Sequence, residues 1–396
     1  MRQSTLGLIA IAAATSMLAG CALPGTSASP SAATTPTPTV TASSSPTPTA
    51  TPNACTNATV LATWSLTRLA EQTLVVPVSE SDVAAVTAEV AAGAGGVILF
   101  GSSAPSNLAT SLHTLAASAL GGIAPFVMTD EEGGAVQRMA NLVGSLPSAR
   151  QMAATMSPAQ VRQLVGSVAQ RMHAAGITMD LAPVLDLDNG VGPNNRDPDG
   201  TRSFGLNPGI AAADGIAFVQ GLEAGGVVPV VKHFPGLGQA SGNTDVAPAT
   251  TQPWTVLQHA GIVPFKSAFA AGAPVVMIAN ATVPGLSTLP ASISPVVMTT
   301  VLRRQLGFQG LVMTDSLSAG ALANIGYSVP RAVVAAITAG ADEVLYTAAA
   351  AQVASLTAAT AAALVAAVNA GALGRARLIS AVANILSAKH VDLCAG

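Results

Sequence analysis

Eight short, apolar, β-prone runs recur along the chain, at 74–78, 96–100, 125–129, 178–184, 228–233, 275–279, 310–314 and 343–346. Runs of this length with almost no polar interruption read as strands buried on both faces, the mark of a parallel sheet rather than a half-solvated antiparallel one. Stretches with helical spacing lie between them, among them 81–92, 105–120, 158–175, 208–224 and 295–306, and supply the crossovers that parallel strands require. A strand–helix unit repeated eight times predicts an α/β fold, a single-domain (β/α)8 TIM barrel. A doubly wound open sheet is the competing arrangement, and the tally of eight favours closure.

The N-terminal end follows other rules. Arg2 precedes an apolar stretch over 6–18 that is too short to span a bilayer stably. Leu18-Ala19-Gly20-Cys21 then reads as a bacterial lipobox, so residues 1–20 are expected to be a lipoprotein signal peptide and Cys21 the lipidated residue. Residues 21–54 are dominated by Ser, Thr, Pro and Ala, with no charged residue in them. Such a segment buries too little apolar surface to offset its ordering entropy, and a disordered tether is expected. The expected location is extracytoplasmic, held to the cell membrane through the lipid alone. Cys55 and Cys394 then remain, at the two ends of the folded region 55–396. Outside the cytoplasm they can oxidise, and a closed barrel makes its first and last elements neighbours, so a disulfide is expected. No second globular domain is expected after the eighth unit.

Only 9% of the residues are charged, 19 acidic against 16 basic, for a net charge of −3. That balance offers no basic stripe for nucleic acid. It also makes every loop carboxylate informative, because few charges are spent on solubility. In a barrel the side chains that do chemistry project from the C-terminal strand ends and the loops that follow. The charged residues here obey that rule. Asp130 to Arg138 follow the third run, Asp186 and a loop ending in Arg202 follow the fourth, Lys232 and His233 end the fifth with Asp245 beyond them, and Asp315 ends the seventh. One rim is therefore expected to gather Asp130, Arg138, Arg202, Lys232, His233, Asp245 and Asp315. Carboxylates and charged donors in such a set suit a polyol, and two acidic groups suit glycoside cleavage. The Gly236-Leu237-Gly238 segment lacks the third glycine of a dinucleotide loop, and the Asp186–Asp199 stretch lacks calcium-loop spacing, so no cofactor and no metal are expected. His113, His173, His259 and His390 read as helix or terminal residues without a role.

The region from about Trp64 to Leu386 resembles the barrel domain of glycoside hydrolase family 3, nearest its single-domain β-N-acetylglucosaminidases of bacterial cell-wall turnover. Asp130–Arg138 resembles the family's D-x-E-G-G-x-V-x-R, 181–186 its A-P-V-x-D strand end, Arg202-Ser203-Phe204-Gly205 its R-S-F-G, 232–238 its K-H-F-P-G-x-G, and 310–317 its nucleophile strand. The resemblance implies Asp315 as the nucleophile, and Asp130, Arg138, Arg202, Lys232 and His233 as the pocket for the terminal sugar. Asp186 is expected to support the architecture, fixing a loop or Arg202. The chain departs from the family at the acid/base loop, G-H-G-D-T-x-x-D-S-H. Leu237 stands at the first His, and Asn243, Thr244 and Asp245 stand where the family has Asp, Ser and His. Asp245 is then the candidate general acid/base, needing a proton held by burial or by the Asp315 charge, with Glu131 and Glu132 as fallbacks. The activity implied is retaining removal of terminal β-linked N-acetylhexosamine from cell-wall-type glycans by a monomer. Two alternatives stay open: a glycan-binding surface lipoprotein with weak or lost catalysis, and a β-glucosidase of the same family.

Overall fold

The computed structural model describes residues 55–395. The signal peptide, Cys21 and the tether expected over 1–54 lie outside the described residues. Eight parallel strands close a (β/α)8 barrel: β1 (Leu74–Ser79), β2 (Gly96–Phe100), β3 (Phe126–Thr129), β6 (Met179–Asp180), β7 (Val228–Phe234), β8 (Val275–Ile278), β9 (Leu311–Thr314) and β10 (Val344–Leu345). The other two, β4 (Glu131–Gly133) and β5 (Val136–Gln137), form a separate antiparallel hairpin. Closure comes from β10, which pairs with β1 through Leu74–Val344 and joins β9 through the Met313–Glu343 bridge.

Side chains alternate across the strands. Val75, Ile98, Met128, Met277 and Met313 fill the barrel interior, while Val76, Val97, Val276 and Val312 pack outward against the helices. This two-residue period is the reason nearly unbroken apolar runs were needed: both faces are dry. Four methionines (Met128, Met179, Met277, Met313) share the interior. With few aromatic residues to spend, an unbranched and flexible side chain fills an irregular centre. Truncating one of them to alanine costs about 2–5 kcal/mol.

Helix starts follow capping chemistry. Ser157 accepts from the Gln160 amide and opens Pro158–Ala174, and Asn207 accepts from Gly209 and Ile210 to open Pro208–Ala224. Over 81–92 the chain makes a 3-10 turn, Val83–Val86, before the α-helix Thr87–Ala92, and over 295–306 it winds as a π-helix, Val296–Gln305. The strand expected over 178–184 is shorter, Met179–Asp180. Pro183 has no N–H to give the ladder, and beyond Asp180 the contact with β7 continues irregularly, through Val230 and Lys232 donating to the Ala182 and Pro183 carbonyls, to the Val184–Lys232 bridge. Residues Ala350–Asn369 are apolar and long enough to cross a membrane. Their buried face, with Val353, Thr357, Thr360, Ala361 and Leu364, packs as a barrel helix.

A disulfide joins Cys55 to Cys394, whose Cα atoms are 5.9 Å apart. The two ends meet because the helix Arg375–Ala388 returns beside the first helices, where Asn57 donates to the Val391 carbonyl and accepts from the Leu393 amide.

Candidate active site

One cavity of about 440 Å³ at the C-terminal mouth of the barrel is lined by Asp130, Arg138, Arg202, Lys232, His233, Asp245 and Asp315. All seven residues singled out in the sequence meet there.

The side of the cavity formed by β3, β7 and the loop after β6 is a buried lattice of ion pairs. Lys232 Nζ lies 2.9 Å from Asp130 Oδ1 and 2.6 Å from Glu132 Oε1. Arg202 grips Glu132 with both arms, Nε to Oε2 at 2.7 Å and Nη2 to Oε1 at 2.8 Å. Arg138 reaches Asp130 Oδ2 at 3.4 Å. Burial by itself raises both Asp130 and Glu132, but Lys232 with Arg138, and Arg202 with Lys232, outweigh it and hold both carboxyls below the usual range. Arg202 is pushed upward by Glu132 against the opposing effect of burial. Asp130 and the three cations are thus charged in advance, with lone pairs and N–H groups facing a cavity sized for a small polyol.

Glu131 and Glu132 were fallback proton donors, and the geometry corrects that expectation. Glu132 is held ionised by two cations. Glu131 turns away from the cavity and accepts from the Arg138 and Met139 amides, both at 2.7 Å, so it caps the end of the hairpin. Gly133, at φ 92°, makes that hairpin, and a Cβ there would run into the Pro147 carbonyl.

Asp186 does hold a loop, but it does not hold Arg202. Its Oδ2 pairs with His233 Nδ1 at 2.6 Å and accepts from the His233 amide at 3.0 Å, while Oδ1 accepts from the Leu237 amide at 2.6 Å. Burial pushes His233 down to about 4, so at neutral pH the ring is uncharged; Nδ1 carries the hydrogen toward Asp186 and Nε2 is left as an acceptor. The other acids of this loop serve the main chain. Asp188 accepts from Gly190 and Gln239, and Asp197 from Gly192 and Gly200.

The sequence offers no role for Asp199. It is fully buried, neither carboxyl oxygen has a hydrogen-bond partner, and Oδ1 stands 3.6 Å from Arg202 Nη1. Burial, then the Asp186 charge, push it up to about 8. The one available signal was its place three residues before Arg202 in an acid-rich loop. Ligand atoms of Asp186, Asp199 and His233 lie within 4.8 Å of one another. Both Asp186 oxygens are already engaged by N–H donors and Arg202 sits against Asp199, so that spot is poorly suited to a further cation.

Asp315 follows β9, with its amide donating to the Ile278 carbonyl at 3.0 Å and its Oδ1 accepting from the Ser316 amide at 2.6 Å. Burial raises its pKa and the Asp245 charge adds to that, while the Ser316 amide and Lys232 oppose. Asp245 is exposed, on the loop between β7 and the helix Trp254–Leu257. Main-chain bonds hold that loop. The Asp245 carbonyl accepts from Gly320 and the Thr244 carbonyl from Ala321, while the Asn243 amide donates to Asn195. The Asp245 carboxylate itself has no hydrogen bond to another side chain, and it faces the same cavity as Asp315.

Residues 71–388 match the family model described as the N-terminal domain of glycosyl hydrolase family 3. Beta-hexosaminidase LpqI of Mycobacterium tuberculosis is 38% identical over 238 residues, which is 57% of this chain and 59% of that protein. A crystal structure described as a glycosyl hydrolase of the GH3 family from Mycobacterium smegmatis superposes with a TM-score of 0.74 at 36% identity, covering 83% of this chain and 98% of that one. A beta-N-acetylhexosaminidase from Beutenbergia cavernae does so with a TM-score of 0.73 at 31% identity, covering 83% and 99%.

Proposed function

Because this chain belongs to glycosyl hydrolase family 3, we propose that it cleaves terminal β-linked N-acetylhexosamine from glycans with retention of configuration. The reading is carried by one observation: Asp315 and the Asp130–Lys232–Glu132–Arg202 lattice share a single pocket. The similar proteins named for hexosaminidase activity support the sugar class.

In this reading Asp130, Arg138, Arg202, Lys232 and His233 hold the hydroxyls of the terminal sugar. Their charges and rotamers are set by mutual pairing, so little is reorganised on binding. The neutral His233 accepts from a hydroxyl through Nε2. Asp315 attacks the anomeric carbon, the glycosidic C–O bond breaks, and the leaving oxygen takes a proton from Asp245. Water then hydrolyses the glycosyl-enzyme, giving up its proton to Asp245. Burial and the Asp245 charge raise Asp315, and the Ser316 amide and Lys232 draw it back toward the ionised form that attack requires.

The test is a panel of aryl β-glycosides differing at C2, assayed with wild type and Asp315→Asn. Turnover of the 2-acetamido member that Asp315→Asn abolishes is the expected result. Preference for the 2-hydroxy member moves the reading to a β-glucosidase. Loss of the loop histidine favours a second reading, a glycan-binding protein with weak catalysis. Binding without turnover, unaffected by Asp315→Asn, is its signature.

The same proposal places the protein outside the cytoplasm, tethered through lipid on Cys21, with cell-wall-type glycans as substrate. The lipobox and the Ser/Thr/Pro-rich segment support the anchor, and the Cys55–Cys394 bridge fits an oxidising compartment. Cys21→Ser is expected to release the protein from the membrane fraction.

A further inference from the structure

A second cleft, about 550 Å³ in volume, adjoins the catalytic pocket, and Phe100 and Thr347 line both. The two differ in chemistry. The catalytic pocket sets eight ionisable side chains among apolar ones, whereas the second is floored by buried Val78, Val86 and Val353 and flanked by Ala85, Ala350 and Ala354, with Asp82 as its one ionisable lining residue.

Its position follows the barrel order. The sugar-facing ion pairs stand on β3, β7 and the loop after β6, and Asp315 stands on β9. The cleft is built at the ends of β10, β1 and β2, next round the barrel from the nucleophile strand. Thr347, part of its wall, is tied to the nucleophile's own loop: Ser318 Oγ donates to the Thr347 carbonyl at 2.7 Å, and the Thr347 amide donates back to Ser318 Oγ at 3.0 Å. Phe100 is the partition. Arg138 lies 5.7 Å from its ring centroid, which ties the ring to the recognition side, while the same residue lines the cleft.

We infer that this cleft is an aglycone site, which takes an uncharged apolar group carried by the leaving side of the substrate. The inference rests on the glycosidase reading above and deepens it. A glycoside bound with its anomeric carbon at Asp315 has its recognised hydroxyls on the β3–β7 side. Its leaving group then points toward the part of the rim where the polar lining ends. An apolar tail on that group loses contact with water in the cleft, at a gain of about fourfold in kcat/KM per methylene that reaches it. An anionic tail gains nothing, because Asp82 repels it and no cation lines the cleft.

The experiment uses the full chain and 4-alkylphenyl 2-acetamido-β-glycosides from methyl to butyl, whose leaving-group acidities are nearly equal. A parallel series lengthens the 2-acyl chain on an unsubstituted phenyl glycoside. Wild type is expected to gain at least tenfold in kcat/KM from methyl to butyl in the first series. Ala85→Trp and Ala354→Trp, which fill the cleft from two different elements, are expected to remove that gain while leaving the phenyl glycoside within twofold of wild type. A flat first series, or a gain that survives both substitutions, overturns the inference. A gain confined to the 2-acyl series overturns it too, and gives the cleft to the C2 substituent. Absence of turnover with every member instead overturns the glycosidase reading, and the aglycone site falls with it.

Discussion

The two sides of the catalytic cavity are built by opposite means. On one side Glu132, with 3% of its side chain exposed, is locked by Arg202 and Lys232, and Asp130 is shared by Lys232 and Arg138. On the other, Asp245 sits exposed on a loop, and among the described residues no ion pair holds its carboxylate. The ion-paired side is preorganised, and the side proposed above for proton transfer is left to adjust. The difference is physical. Holding a sugar requires fixed charges, whereas an acid/base group must change its charge within each cycle and is better kept outside a saturated ion-pair network.

Four substitutions test that contrast, beginning with the largest effect. Asp315→Asn removes the proposed nucleophile, which both sides would serve, and kcat is expected to fall by about 10⁴-fold or more with little change in melting temperature. Retention of rate would detach the chemistry from β9. Glu132→Ala breaks the locked side by leaving Lys232 and Arg202 without their shared counter-ion, which costs about 3–5 kcal/mol for a buried pair. Denaturant unfolding measures it, and a loss under 1 kcal/mol would mean that the lattice is not what holds this side. Asp245→Asn addresses the adjustable side. Poor leaving groups are expected to slow by about 10²-fold or more and activated aryl glycosides far less; equal slowing of both reduces Asp245 to a loop anchor.

The smallest effect concerns Asp199, whose pKa is raised in the folded chain to about 8 from an ordinary 3.8. A raised carboxyl binds a proton in the folded state where the unfolded chain has released it. Its contribution is therefore complete below about pH 4 and is lost as pH rises through about 8. Melting temperature against pH is expected to fall less steeply from pH 5 to 9 for Asp199→Asn than for wild type. Parallel profiles would mean that Asp199 is solvated or ionised throughout.

How much of this was legible in the sequence depends on the range of the interaction. All eight barrel strands lie where apolar runs placed them, because two-faced burial leaves a local signature, as at 96–100 and 275–279. Motif order also carried Asp315 and the Lys232–His233 pair to the right strand ends. The β4–β5 hairpin was missed, since Glu131 and Glu132 carry no strand pattern and the turn depends on Gly133 fitting against Pro147. The roles of Glu131, Glu132 and Asp199 were not legible either. In each case the partner, or the burial that leaves Asp199 without one, is set by chain that is distant in sequence or folded back.

Local pattern alone determined the count of barrel strands, the crossover helices and the strand ends at which charged side chains emerge, because alternation and helical spacing act within a few residues. Tertiary structure decided which carboxylates are locked in ion pairs and which stand outside them. Glu132 meets Arg202 seventy positions along the chain, and Asp130 meets Lys232 a further thirty-two beyond that separation, at 102. Only closure of the barrel brings those pairs together, and only burial beside one another sets their charges.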